Sequence, residues 1–267
     1  MDSRRFGVED GAGQYDLGRG RVVVDLAQVQ VITLDLDNTL WDIQPVIEAA
    51  ERELHDYLAQ HYPQMTADMP LSTMTALREK VAMAYPDKDH DFTFLRKQML
   101  RERAMLAQYS TEQAHEIAEE AFDVFYRLRN VVPLFDDVLP ALEWLHARYR
   151  LISVSNGNAD LQAIGIARYF DSSVWAREVG TLKPGALMFL RPLMDAGLDP
   201  KHFLHVGDDP VMDVSGARAV GYQTVWIDRF GTTWPDAEAP ADFGVKSLME
   251  LVELLEPNAL QPWRTLG

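Results

Sequence analysis

The feature that most constrains this chain is a rhythm of short apolar runs, each closing on a polar turn, with helical patterns between them. Val29-Gln-Val-Ile-Thr-Leu-Asp35 is the first, and Arg150–Ser155, Ser173–Ala176, Phe203–Gly207 and Tyr222–Asp228 follow. Runs this short and continuous read as buried strands. Helical patterns fall at roughly 137–148, 159–168, 185–196 and 211–220. Strand and helix alternating in this way predict an α/β fold, a parallel sheet covered on both faces. Ala241–Val245, followed by the helical Lys246–Leu255, is expected to add an edge element.

One interval breaks the rhythm. The first strand ends near Asp35 and the second begins near Arg150, whereas a βαβ unit needs only about 30 residues. The surplus is helical: Pro45–Tyr62 carries Ile47, Leu54 and Leu58 on one face, and Ser72–Ala84, Asp91–Gln108 and Thr111–Arg129 behave likewise. Ser110 with Gln113 forms the pattern of a capping box. Residues 45–130 are therefore expected to be a four-helix cap domain inserted after the first strand, overhanging the carboxyl ends of the sheet. Residues 21–44 and 131–267 would form the core. Residues 1–20, rich in Gly, Asp and Arg without apolar periodicity, read as a mobile tail.

Composition narrows the chemistry. With 267 residues the chain is long for one average domain, which fits a core with a large insertion. The absence of cysteine excludes disulfides, thiolate zinc sites and a cysteine nucleophile, and fits a reducing compartment. No apolar run approaches the roughly 18 residues of a membrane span, and no apolar segment follows the N-terminal arginines. A cytoplasmic protein that avoids membranes is expected. A formal net charge of −16 without a basic stripe argues against nucleic acid. A small phosphorylated metabolite would bind only where a metal and local cations reverse that field. Monomer and homodimer both stay open.

In an open parallel sheet, ligands bind beyond the carboxyl ends of the strands. Four polar clusters sit there: Asp35-Leu-Asp37-Asn38-Thr39, Ser155-Asn156-Gly157, Thr181-Leu-Lys183-Pro184, and Gly207-Asp208-Asp209-Pro210 with Asp213. Singly, each is ordinary turn or cap chemistry; together they converge on one edge. Facing acidic clusters call for a hard divalent cation, and oxygen donors suit Mg²⁺. A carboxylate on that metal can attack phosphorus to give an aspartyl-phosphate. A second carboxylate two residues along can protonate the leaving group, then take a proton from water. Ser155 and the backbone around Asn156 can hold phosphate oxygens, and Lys183 can neutralise them. Pro184 is expected to open the following helix.

These clusters, in this order, resemble the signatures of the haloacid dehalogenase superfamily, in its branch with a helical cap after the first strand. The resemblance spans about 29–256 and implies a Rossmann-like core. It implies Asp35 as nucleophile and Asp37 as general acid and base, with Thr39, Ser155, Asn156 and Lys183 at the phosphate. Mg²⁺ would be held by Asp35, the main-chain oxygen of Asp37 and Asp208, with Asp209 and Asp213 in contact with the ion or orienting its ligands. Asp37 favours phosphate chemistry, because the true dehalogenases of the superfamily lack an aspartate there and need no metal. Leu34–Ile47, Asn156-Gly157-Asn158-Ala159, His205–Asp209 and the cap spacing Asp91…Thr93…Arg96 with Met105-Leu106 are similar to flavin mononucleotide phosphatases. That likeness implies FMN or a phosphorylated riboflavin precursor as substrate, against sugar phosphates or nucleoside monophosphates. A halide-releasing enzyme and a non-hydrolytic binding protein are the readings from other classes.

Among cap residues, Trp41 either stacks on an aromatic substrate or packs beneath the cap. Arg96 and Lys97 either contact the substrate or pair along their helix. His205 reads as a satisfied core histidine, and Phe122 and Phe125 as cap core.

Overall fold

The structure is a computed structural model that describes residues 24–67 and 71–262; the expected tail at 1–20 lies outside the described residues. Strands β1 (Val31–Leu34), β2 (Arg150–Ser155), β3 (Ser172–Trp175), β4 (Phe203–Gly207), β5 (Gln223–Ile227) and β6 (Phe243–Val245) form one sheet. All pairings are parallel, in the order β3-β2-β1-β4-β5-β6, so β1 is central and the connections reverse direction there. That reversal opens a crevice at the carboxyl end of β1.

The cap segment forms α1 (Ile43–His61), α2 (Leu71–Ala84), α3 (Phe92–Leu106) and α4 (Thr111–Arg129). Val46, Ala50, Leu54 and Leu58 recur every fourth residue of α1 and are buried, the last three in a core shared with Met99, Leu100, Ile117, Ala121, Phe122 and Phe125. Truncating a buried leucine such as Leu54 would cost about 2–5 kcal/mol. The capping box at Ser110 and Gln113 is present, and Asp91 caps α3 by accepting from Phe94 N at 2.9 Å. Helix α1 begins two residues earlier than expected, because Asp42 caps it and Pro45 is tolerated in the first turn.

The sheet has two apolar layers of its own, separate from the cap core. Period-two alternation divides the strand side chains between them. Ile32, Leu34, Leu151, Leu204 and Val206 pack with Leu142, Leu145, Leu248 and Leu251. Those partners lie on helices α5 (Val138–His146) and α10 (Leu248–Leu255). On the opposite face Val31, Ile152, Val154 and Phe203 pack with Met188, Phe189 and Ala217. Burial on both faces explains why the strand sequences read as unbroken apolar runs.

The core helices depart from their sequence patterns at four places. The helix expected at 159–168 is one turn, α6 (Leu161–Ile164), stopped by Gly165 at φ 89°. A second short helix, α7 (Ala176–Val179), follows β3. Helix α8 (Ala186–Ala196) starts beyond Pro184: Gly185 takes the cap position, and the Lys183–Pro184 peptide is cis. The helix expected at 211–220 is a π-helical segment, Pro210–Ser215, continuing into α9 (Gly216–Ala219). Among the described residues, no helix is long and apolar enough to cross a membrane.

Candidate active site

The turn after β1 carries the first two carboxylates. Asn38 occupies the left-handed region at φ 64°, which asparagine tolerates better than most residues. Its N–H donates to Trp41 O at 2.7 Å, folding Asp35 and Asp37 back over the end of the sheet. Arg229, after β5, clamps this turn. Its guanidinium donates to Thr39 O at 3.0 and 3.1 Å and to both oxygens of Asp137.

Asp35 is buried and accepts from Lys183 Nζ at 2.5 Å. The same ammonium donates to Asp213 Oδ1 at 2.6 Å. Asn156 fixes where that lysine emerges: its Oδ1 accepts from Lys183 N at 2.6 Å, and its Nδ2 donates to Lys183 O at 3.3 Å. The Asn156 side chain thus positions Lys183, while the phosphate role expected at this position belongs to the backbone around it. Thr39 departs from the phosphate-binding expectation. It is fully buried, and its hydroxyl is directed at Asp208 Oδ1, 3.4 Å away.

Asp35, Asp208 and Asp213 each present an oxygen within 4.8 Å of the other two. Asp213 also takes His205 Nε2 at 3.1 Å and Asp209 N at 3.0 Å, so His205 is the core histidine the sequence indicated. Gly207 leaves room for this arrangement, since a β-carbon there would land on the Asp213 carboxylate. Asp209 does not orient these ligands through its side chain. Its Oδ1 accepts from Val211 N and Met212 N, both at 2.8 Å, capping the π-helical segment.

The electrostatics follow from burial. Desolvation lifts the Asp35 carboxyl well above the usual carboxylate range; Lys183 opposes this, while Asp213 and Asp208 reinforce it. Burial and then Asp213 push Asp208 up to about 7. Burial would raise Asp213 as well, but Lys183 and His205 hold it below the ordinary range. Burial pulls Lys183 down, and Asp213 and Asp35 more than offset that, leaving it firmly protonated. Asp35 and Asp213 share one ammonium, with the Asp208 carboxylate beside them. An all-oxygen set with this excess of negative charge fits a divalent cation such as Mg²⁺.

Asp37 points elsewhere. Its oxygens accept from Arg129 Nη2 at 3.0 and 2.9 Å, and Oδ1 also accepts from Trp41 Nε1 at 2.9 Å. Trp41 is fully buried in the apolar layer of the sheet core, with backbone bridges to Asp37 and Leu134, and offers no face for stacking. Asp37 Oδ2, Arg129 Nη2 and Ser155 Oγ converge beside Gly157, where a β-carbon would meet them at 2.7, 3.2 and 3.3 Å. Ser155 Oγ accepts from Gly157 N at 3.0 Å and keeps its own proton for donation.

These residues line one cavity of about 640 Å³. Its far wall belongs to the cap: Ile47, Phe92, Leu95, Met99 and Phe125, with Arg78 and Arg96. Arg96 stacks 3.5 Å above the Phe125 ring and donates to Glu51 Oε1 at 2.7 Å. Arg78 donates to the same oxygen at 2.8 Å. Lys97 pairs with Glu119 instead, and Met105 and Leu106 are exposed outside this lining.

Two arginines give no sign of themselves in the sequence. Arg129 closes a long amphipathic helix and Arg229 follows a strand, both ordinary places for a surface cation. Only their burial beside Asp37 and the turn after β1 marks them.

Comparison with known proteins agrees with this geometry. The family model for haloacid dehalogenase-like hydrolases matches residues 29–221. The chain is 24% identical to haloacetate dehalogenase H-2 of Moraxella, covering 86% of this chain and 99% of that protein. The solved structure of a 2-haloacid dehalogenase from Pseudomonas syringae superposes with a TM-score of 0.81 at 34% identity, covering 86% of this chain and 99% of that one. The 5-amino-6-(5-phospho-D-ribitylamino)uracil phosphatase YigB of Escherichia coli is 30% identical over 76% of this chain and 84% of its own length. Identity on that scale, and a match running from the first strand past α9, make this chain a member of the haloacid dehalogenase-like hydrolases.

Proposed function

We propose that the chain is a Mg²⁺-dependent phosphatase that hydrolyses a small phosphate monoester through an aspartyl-phosphate on Asp35. The observation that carries this reading is Asp37, whose carboxylate stands beside Ser155 in the cavity that holds Asp35 and Lys183. Substitution at a halogenated carbon has no use for a proton donor there, whereas expulsion of an alkoxide does.

In the first transfer an Asp35 oxygen bonds to phosphorus as the ester P–O bond breaks. The released electron pair goes to the ester oxygen, which takes a proton from Asp37. In the second, water gives its proton to Asp37 while its oxygen bonds to phosphorus and the Asp35–phosphate bond breaks. Ser155 and Lys183 hold the equatorial oxygens through both steps. Asp35, Asp208 and Asp213, with the main-chain oxygen of Asp37, would hold Mg²⁺, which when bound supplies charge neutralisation at the phosphate. The cap wall excludes water during the first transfer.

Cavity size and an apolar wall with two arginines at its far end favour a substrate with a large planar body over a bare sugar phosphate. FMN and phosphorylated pyrimidine precursors of riboflavin meet that description, and the E. coli relative is named for such a pyrimidine. The test is phosphate release from FMN, phosphorylated ribitylaminouracil, sugar phosphates and nucleoside monophosphates, with Mg²⁺ and with EDTA. Metal-dependent preference for a ribityl phosphate supports the whole reading. Sugar phosphate preference keeps the mechanism and discards the flavin.

Likeness to the P. syringae 2-haloacid dehalogenase favours a second reading, halide release. Halide liberated from a 2-haloacid in EDTA, without phosphatase activity in Mg²⁺, would establish that reading instead.

A further inference from the structure

Arg129 ends the last cap helix, yet it is only 2% exposed and lines the catalytic cavity. Burying a guanidinium is costly unless its donors are matched, so the partners it keeps are informative. Nη2 is shared between the two oxygens of Asp37. Nε donates to Asn158 Oδ1 at 3.1 Å, and Nη1 is buried with no partner among the described residues. Asn158, on the loop after β2, donates through Nδ2 to Thr93 Oγ1 on α3 at 3.1 Å. One connected path thus joins two cap helices to a single carboxylate, with the core loop of Asn158 as its middle link. Trp41 braces the same carboxylate from its own turn. A purely structural ion pair has no need of this branching, nor of a donor left unmatched.

We propose that Arg129 is the positioning residue of Asp37. Its Nη2, shared between both oxygens, sets the direction of that carboxylate toward the ester oxygen, and Asn158 and Thr93 make the setting depend on where the cap sits. The proposal rests on the phosphatase reading and goes beyond it. It concerns the proton that must reach the leaving oxygen as the P–O bond breaks, through the Asp37 side chain and not its main-chain oxygen.

Leaving-group dependence separates this role from a general contribution to folding. An alkoxide needs the proton from Asp37, whereas 2,4-dinitrophenolate departs as the anion. The first turnover of glycerol 2-phosphate and of 2,4-dinitrophenyl phosphate would be measured by rapid quench, reading the alcohol or phenol released. Arg129→Met is expected to slow the alkyl ester by about 100-fold or more and the dinitrophenyl ester by no more than about fivefold. Arg129→Lys, which keeps the charge but lacks the separate Nε donor to Asn158, should recover only part of the loss. Thr93→Val and Asn158→Ala cut the path at the cap end and should show the same discrimination at smaller amplitude. They carry the test if the Arg129 variants do not fold. Equal losses on both esters, or none on either, would overturn the proposal while the phosphatase reading stands. A wild-type protein that hydrolyses neither of these esters, nor FMN or any other ester of the substrate panel, in Mg²⁺ would overturn both.

Discussion

Replacing Asp208 with asparagine should make the metal-free protein more stable while removing its response to Mg²⁺. Folding pushes the Asp208 carboxyl from 3.8 to about 7, through burial first and Asp213 second. A carboxyl that binds its proton more tightly in the folded state favours folding at low pH. That advantage is lost as the pH rises from about 4 to about 7. Near pH 7 the wild type therefore carries a penalty of about three units, or about 4 kcal/mol at 1.4 kcal/mol per unit. The side chain is partly exposed, and solvent screening reduces the figure to about 2 kcal/mol. Asparagine keeps an oxygen for the Thr39 hydroxyl and removes the charge. For a chain of this size the gain corresponds to about 4–8 °C in Tm. Thermal unfolding followed by circular dichroism in EDTA near pH 7 reads it directly. Near pH 5.5, where wild-type Asp208 is largely protonated, the gap should shrink by about half. Mg²⁺ should then raise the wild-type Tm and barely move the variant. A variant less stable than wild type in EDTA, or one that gains as much from Mg²⁺, would refute this account of the acidic cluster.

Asp35→Asn should abolish turnover with the fold intact; retention of even a tenth of the activity would sink covalent catalysis at this residue. Gly207→Ala drives a β-carbon into the Asp213 carboxylate, and denaturant titration should show a loss of about 1–3 kcal/mol or more. Arg96→Ala opens the far wall of the cavity while Arg78 still satisfies Glu51. The KM for FMN should rise about tenfold with little change for p-nitrophenyl phosphate, a difference of about 1.4 kcal/mol that steady-state kinetics resolves. Equal KM changes for both esters would show that the cap wall does not read the substrate body.

The sheet, the interruption after β1 and the sheet edge where the polar clusters meet were all legible in the sequence. Ile32, Leu34, Leu204 and Val206 are buried because both faces of a parallel sheet are covered, and that constraint is written locally as unbroken apolar runs. The capping box at Ser110 and the apolar spacing of Ile47, Leu54 and Leu58 are equally local. Direction and partnership were not. Thr39 and Asn156 belong to the right clusters, but which way a short polar side chain turns depends on neighbours distant in sequence. Asp208 claims one and the Lys183 backbone claims the other. Asp209 and Asp213 look alike in sequence, and only the π-helical turn sends one to cap a helix and the other under Lys183. Arg129 and Arg229 carry no local signal at all. A terminal arginine becomes a buried partner of Asp37 only when the cap folds back over β1, because its counter-charge lies 92 residues away along the chain.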